Sequence, residues 1–244
     1  MRGIMPNKFN TTQLYIDRAE ERGIVHRDYL AHCLRWTHII RNAKVGQTIL
    51  DVGCGTNTPL AWAMYTNKFK PRMYVGVDVR PNFETDPEKF NFPCKLIGRF
   101  DATNPSQWAH PALVEYFDLI TCLEVLEHME KEDGLKLLEN LSTIISGGGT
   151  LYLSTPCFNG SAAANHIYEW RYEELKDTLD SLFKIESHFG TFASQRDIIP
   201  HATVEERKVF EMLRGYYDSN LLAVILAPLY PQYSRNCMWR LRSR

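Results

Sequence analysis

Ile49-Leu50-Asp51-Val52-Gly53-Cys54-Gly55-Thr56-Asn57-Thr58 is an apolar run that meets two glycines one residue apart and then a helical pattern opening at Pro59. Gly53 and Gly55 carry no Cβ, so the backbone there can turn sharply and bring its N–H groups close to a ligand. A buried strand that feeds such a turn suits a small nucleotide-like molecule. The flanks narrow the choice. In dinucleotide folds a third glycine lets the next helix begin beneath a pyrophosphate. Here Thr58 stands in that place and Asp51 precedes the first glycine. An acid beside the turn repels a phosphate and suits a cationic amino-acid head group.

Outward from this turn, β-rich runs at 48–52, 73–79, 95–100, 117–123, 150–154 and 183–189 alternate with helical patterns at 59–65, 106–114, 131–145 and 172–182. That alternation predicts a parallel sheet covered on both faces, a three-layer αβα sandwich. The 131–145 helix shows Leu135, Leu138, Leu141 and Ile145 on one stripe, ended by Gly147-Gly148-Gly149. Ahead of the sheet, 10–43 reads as one or two helices, with Tyr29, Cys33, Trp36 and Ile40 at three- and four-residue steps. After the sixth run the chain makes a long excursion, through a charged helix at 204–217 and an apolar segment, before a last run at 237–241. If the sixth strand is parallel, this excursion leaves on the face where open α/β sheets bind ligands, which predicts a substrate lid. One domain over 1–244 follows: a helical cap (1–44), a cofactor-binding core (45–190), a lid insertion (191–235) and a last strand (236–244).

Composition sets the outer bounds. With 244 residues, 44% of them hydrophobic and 12% aromatic, the chain can bury one substantial core. A formal net charge of -1 provides no whole-chain field to attract nucleic acid or an anionic membrane. The six cysteines form no Cys-x-x-Cys pair, which argues against a zinc knuckle or a disulfide framework. The longest apolar stretch, 221–230, contains Pro228 and falls short of the ~20 residues a membrane helix needs. No signal-peptide segment opens the chain. The expectation is a soluble cytoplasmic protein.

Asp51-x-Gly53-x-Gly55 resembles the first motif of class I S-adenosylmethionine-dependent methyltransferases, and further positions agree in order and spacing over about 45–190. Asp78, closing the second strand, resembles the acid that accepts hydrogen bonds from the ribose hydroxyls. Asp101 resembles the residue that receives the adenine amino group. The 117–124 run, with Leu123 at its end, resembles the fourth-strand motif and 149–156 the fifth. The resemblance implies a seven-stranded, mostly parallel sheet with an antiparallel last strand. It also implies S-adenosyl-L-methionine as cofactor, held by Asp51, Gly53, Gly55, Asp78, Asp101 and Leu123. Asn57 departs from it, standing where a third glycine is common. Taken singly, Asp51 and Asp78 also read as strand-ending or helix-capping acids.

Glu124-Val125-Leu126-Glu127-His128-Met129 follows the fourth strand, and on a helix positions i, i+3 and i+4 share a face. Glu124, Glu127 and His128 are thus expected to converge, with His166 joining from the loop after the fifth strand. Two carboxylates and two imidazoles form a ligand set suited to a divalent ion, Mn, Fe or Co before Mg. The same pattern resembles the metal-dependent small-RNA 3′-terminal ribose 2′-O-methyltransferases, and its Glu-x-x-Glu-His part resembles ubiquinone-pathway O-methyltransferases. That resemblance implies transfer to a hydroxyl oxygen of a small molecule or a terminal nucleotide, with His128 and Glu124 catalytic. Without a metal, His128 would serve as general base.

Other acceptors are set aside on the residues. Leu123-Glu124-Val125-Leu126 has no acid or Asn followed by Pro-Pro-aromatic, the pattern expected for amino methylation of DNA bases. Pro156-Cys157 follows the fifth strand rather than the fourth, so Cys157 reads as a buried thiol. Lys184, Arg196, Arg207, Lys208 and the arginines of the tail are interrupted by acids. They leave a nucleic-acid acceptor open without pointing to one. Lid aromatics Phe189, Phe192, Tyr216, Tyr217, Tyr230 and Tyr233 read as core before stacking platform; Arg35 and Tyr29 of the cap are candidates to reach the cofactor carboxylate, with a surface ion pair the first reading for Arg35. Two rivals remain: a non-catalytic S-adenosylmethionine-binding regulator or assembly partner, and a nicotinamide oxidoreductase, which Asp51 and Thr58 disfavour.

Overall fold

Residues 27–111, 113 and 116–244 are described by a computed structural model. The described part of the cap is helix α1 (Arg27–Asn42); residues 10–26 of the predicted helical stretch lie outside it. The core then runs β1 (Thr48–Val52), α2 (Pro59–Thr66), β2 (Met73–Val77), β3 (Cys94–Ile97), β4 (Phe117–Leu123), α3 (Lys131–Ile144), β5 (Ile145–Pro156), α4 (Tyr172–Leu182) and β6 (Phe183–Phe192). Short helices α5 (Gln195–Ile198), α6 (Val204–Leu213) and α7 (Ser219–Ile225) make up the excursion before β7 (Asn236–Ser243).

The strands form one seven-stranded sheet in the order β3-β2-β1-β4-β5-β7-β6. β3, β2, β1, β4 and β5 are parallel, and β7 runs antiparallel between β5 and β6. The strand order therefore reverses beside β1, and the Gly53 turn leaves β1 at that switch point, where open α/β sheets take their ligands. Alternate residues of the central strands face opposite layers. Leu50, Val52, Ile120 and Leu153 pack under α3 and α4 against Leu138, Leu141 and Leu179. Ile49, Leu119 and Tyr152 face the other way, toward Trp36 and Ile39 of α1 and Leu60 and Met64 of α2. A strand buried on both sides must be apolar nearly throughout, which is why the β1 and β4 runs show no polar alternation.

Two predicted elements change shape. The triple glycine does not follow a helix ending at 145: α3 stops at Ile144, and Gly147 to Gly149 lie inside β5. They carry a register shift, Phe117 pairing with Ile145 and Leu119 with Thr150. A Cβ on Gly149 would sit 2.9 Å from the Phe117 carbonyl oxygen, so the bulge needs glycine. The 106–114 helix is a single 3₁₀ turn, Pro105–Ala109, capped by Asn104, whose side chain accepts from the Ser106 N–H; Ala112, Val114 and Glu115 lie outside the described residues. The excursion holds a small core of its own, with Ile198, Phe210, Leu222, Leu226 and Tyr230 buried together. No helix among the described residues is long and apolar enough to cross a membrane.

Candidate active site

Gly53 and Gly55 adopt φ values of +68° and +70°, the left-handed region that side chains disfavour. At Gly53 space is also closed, because an added Cβ would lie 2.4 Å from Val125 Cγ2. The turn is sewn to β2 by the Gly53 and Cys54 N–H groups, both donating to the Val77 carbonyl. Asp78 completes the seam. Its Oδ2 accepts from the Gly55 N–H at 2.9 Å and its Oδ1 from the Arg80 N–H at 2.9 Å. A groove of about 610 Å³ opens here, with Gly53, Gly55, Asp78, Asp101, Glu124 and His128 on its wall. Asp101 is steadied by the Thr103 N–H and hydroxyl, at 3.0 and 2.7 Å.

Two of the expected cofactor residues stand behind that wall. Leu123 ends β4 and packs toward the α1/α2 layer. Asp51 is buried beneath the turn, where its carboxylate accepts from the Tyr74 hydroxyl at 2.6 Å and the Thr121 hydroxyl at 2.7 Å. Burial pushes its pKa up to about 6, against the pull of those two bonds and with the added repulsion of Asp78. A carboxylate so engaged braces the turn from below.

Glu124, Glu127 and His128 do not share a helical face. Glu124 sits at φ +57°, in the left-handed region, and only Leu126–His128 form one 3₁₀ turn. This reversal aims Glu124 and Glu127 at different partners. The Glu124 carboxylate accepts from Ser154 Oγ at 2.6 Å and from Asn236 Nδ2 at 2.8 and 3.0 Å, and lies 3.5 Å from Arg35 Nη1. Burial alone would raise its pKa; the Arg35 charge and the Ser154 bond hold it below the usual carboxylate range.

Arg35 is not a surface ion pair. It is 1% exposed, and beyond Glu124 it contacts Asn236 Oδ1, Thr191 Oγ1 and His32 Nδ1 at 2.9 to 3.3 Å. Ala31, Arg35 and Ile39, all buried, step by four along α1. That spacing is the signal in the sequence that places Arg35 inside.

The groups that do converge are Glu127, His128 and His166, each offering a ligand atom within 4.8 Å of the others; Glu124 is outside this set. Glu127 is 1% exposed and accepts from Thr155 Oγ1 at 3.0 Å, and burial together with the Glu124 charge raises its pKa well above normal. Its backbone carbonyl receives the Ile167 N–H at 2.7 Å, which draws the His166 loop onto the turn. The two imidazoles meet edge to face with ring centres 5.4 Å apart. His128 Nδ1 lies 3.2 Å from the Asn165 carbonyl and His166 Nδ1 2.6 Å from Glu169 Oε1. Glu169 and its partner Arg235 are site residues that the sequence reading passed over. His128 belongs both to this cluster and to the groove wall.

Most of the aromatics in and beside the excursion serve packing. Tyr230 is in the excursion's own core, Tyr233 stacks on His201 at 3.5 Å, and Phe192 carries the Arg27 guanidinium over its ring; Tyr216 and Tyr217 are exposed. Cys157 is buried, as expected.

A parallel sheet with one antiparallel strand, a glycine turn at the switch point and an acid closing β2 together define a class I methyltransferase. A family profile described as "Methyltransferase domain" matches residues 25–189, more than half of the sequence, and the chain belongs to that family. No curated protein matches it by sequence. Among solved structures, a SAM-dependent methyltransferase from Archaeoglobus fulgidus superposes with a TM-score of 0.57 at 16% identity, covering 94% of this chain and 99% of that one. The 1,6-didemethyltoxoflavin-N1-methyltransferase of Burkholderia thailandensis, solved with S-adenosylhomocysteine and 1,6-didemethyltoxoflavin, gives 0.58 at 12% identity over 95% of this chain and 86% of that one. The small RNA methyltransferase HEN1 gives 0.57 at 16% identity, over 89% of this chain and 26% of the other. The protein is a methyltransferase that uses S-adenosylmethionine.

Proposed function

We propose that the chain transfers methyl to a hydroxyl oxygen, of a small molecule or a terminal nucleotide, beside a divalent ion held by Glu127, His128 and His166. The observation that carries this reading is the cluster itself. One carboxylate and two imidazoles lie within 4.8 Å of one another, and one of the three also lines the groove. The Glu-x-x-Glu-His pattern and the fold shared with HEN1 support the same reading.

Asp78, oriented by the Gly55 N–H, would hold the ribose side of the cofactor, and Asp101 would face its adenine. The left-handed turn at Gly53 leaves a bare backbone where a side chain would crowd the groove. The donor set suits a borderline divalent ion such as Mn, Fe or Co. When bound, the cofactor supplies an electrophilic methyl on a sulfonium, and the ion a Lewis acid that eases proton loss from an alcohol. His128, at the junction of groove and cluster, would place the ion beside the acceptor oxygen; without an ion, its ring would serve as the base for that oxygen's proton. Glu124 does not enter the ligand set; it locks the end of β4 to β7 through Asn236. We place the enzyme in the cytoplasm, where its six free thiols remain reduced.

Calorimetry of chelator-treated protein tests both halves. Asp78→Ala is expected to lose S-adenosylhomocysteine binding and keep Mn²⁺ binding, and His128→Ala the reverse. Methyl transfer to an oligoribonucleotide with a free terminal 2′-hydroxyl, against its 2′-deoxy counterpart, probes the nucleotide acceptor. Cofactor binding with no Mn²⁺ heat would sink the metal reading.

A further inference from the structure

His166 lies in the loop between β5 and α4, outside any helix or strand, so its orientation depends on what holds it. The holder is a fully buried carboxylate. Glu169 Oε1 faces His166 Nδ1 at 2.6 Å and accepts from the Ala163 N–H at 3.2 Å and from Arg235 Nη2 at 2.9 Å, while Arg235 Nη1 stands 2.6 Å from Oε2. Arg235 is itself pinned. Its Nη1 donates to the Cys157 carbonyl at 2.7 Å, its N–H donates to the Phe192 carbonyl, and its own carbonyl accepts from the Cys157 N–H. The pair therefore joins three segments: the His166 loop, the end of β6 and the exit of the lid into β7.

A buried Glu–Arg pair is no stability device in itself, since removing both charges from water costs about as much as their attraction returns. What the pair does here is act on an imidazole. With a carboxylate as its partner, Nδ1 is the donor, so the lone pair lies on Nε2. His128 differs, its Nδ1 facing only a peptide carbonyl. A carboxylate that accepts from the far ring nitrogen fixes the tautomer and orientation of a metal-binding histidine in this way.

We propose that Glu169 and Arg235 are positioning residues that fix His166 with Nε2 presented to Glu127 and His128, so that the ligand set exists before the ion arrives. This rests on the metal reading of the cluster. It also makes the lid exit part of the site, because Arg235 begins the passage into β7.

The test uses the full chain with Glu169→Gln and Arg235→Lys, Mn²⁺ calorimetry, and long-range ¹H–¹⁵N spectra of the histidine rings without metal. The wild type should show His166 as the Nδ1–H tautomer. Glu169→Gln should disturb that tautomer and weaken Mn²⁺ binding about 10- to 100-fold, with S-adenosylhomocysteine affinity unchanged. Arg235→Lys, which keeps the charge and loses the two-point contact, should give a smaller loss in the same direction, and serves if Glu169→Gln does not fold. Folded variants with wild-type Mn²⁺ affinity and an unchanged tautomer would overturn the positioning role while leaving the metal site standing. A wild type that binds no Mn²⁺ would remove the metal reading and this proposal with it.

Discussion

Replacing Gly53 with alanine puts a Cβ 2.4 Å from Val125 Cγ2 on a residue at φ +68°. Two costs add. The left-handed backbone costs a side-chain-bearing residue ~1–2 kcal/mol, and forcing an atom into filled space costs ~1–3 kcal/mol. Valine cannot step aside cheaply, because its χ1 is stiff and its neighbour Glu124 is anchored to Ser154 and Asn236. The expected loss in urea unfolding is ~2–5 kcal/mol. Val125→Ala removes the opposing methyl, so the double variant should recover the steric share, a coupling of ~1–3 kcal/mol, and keep the backbone share. The same displacement moves the Gly55 N–H off Asp78, so S-adenosylhomocysteine affinity should fall at least ~10-fold, or ~1.4 kcal/mol. A Gly53→Ala protein within ~0.5 kcal/mol of wild type, the range of an ordinary surface change, would refute the packing argument. So would a double variant no better than the single.

Asp51 gives a pH signature. Its pKa is raised from 3.8 to about 6 in the folded chain, so the stability its protonated form contributes is present below about pH 4 and is lost as pH rises through 6, a total of ~3 kcal/mol. Asp51→Asn cannot ionise, and its stability relative to wild type should improve by up to that amount between acid and neutral pH. A pH-independent difference would contradict the burial of the charge. Arg35→Met should cost ~3–5 kcal/mol by leaving the Glu124 carboxylate without its cation. Arg35→Met combined with Glu124→Gln should regain much of this, and a single variant as stable as wild type would show that the buried network is dispensable.

The fold was legible where local and global signals coincide. The Ile49–Val52 run, the glycine pair and the alternation of apolar runs with helical stripes all demand the same parallel sheet, and β1 stands at its centre. Boundaries were less legible: Gly147 to Gly149 read as a helix stop and serve instead as a strand bulge, because the Phe117 carbonyl that requires it comes from a distant strand. The site divides in the same way. Gly53, Gly55, Asp78 and Asp101, set by strand ends, fall on one groove. Glu124 escaped the helical pattern because φ +57° at one residue turns its side chain from the histidines toward Asn236, and no periodicity reports a single backbone reversal. Glu169 and Arg235 are 66 positions apart, and only the folded sheet brings them together.

Cofactor groove and ion cluster meet at His128. Loading chelator-treated protein with Mn²⁺ and with S-adenosylmethionine carrying ¹³C at its transferable methyl tests this without knowledge of the acceptor. The bound methyl resonance should broaden away with Mn²⁺, stay sharp with diamagnetic Mg²⁺, and sharpen again in His166→Ala. A methyl line that remains sharp on protein shown to hold both Mn²⁺ and cofactor would contradict it.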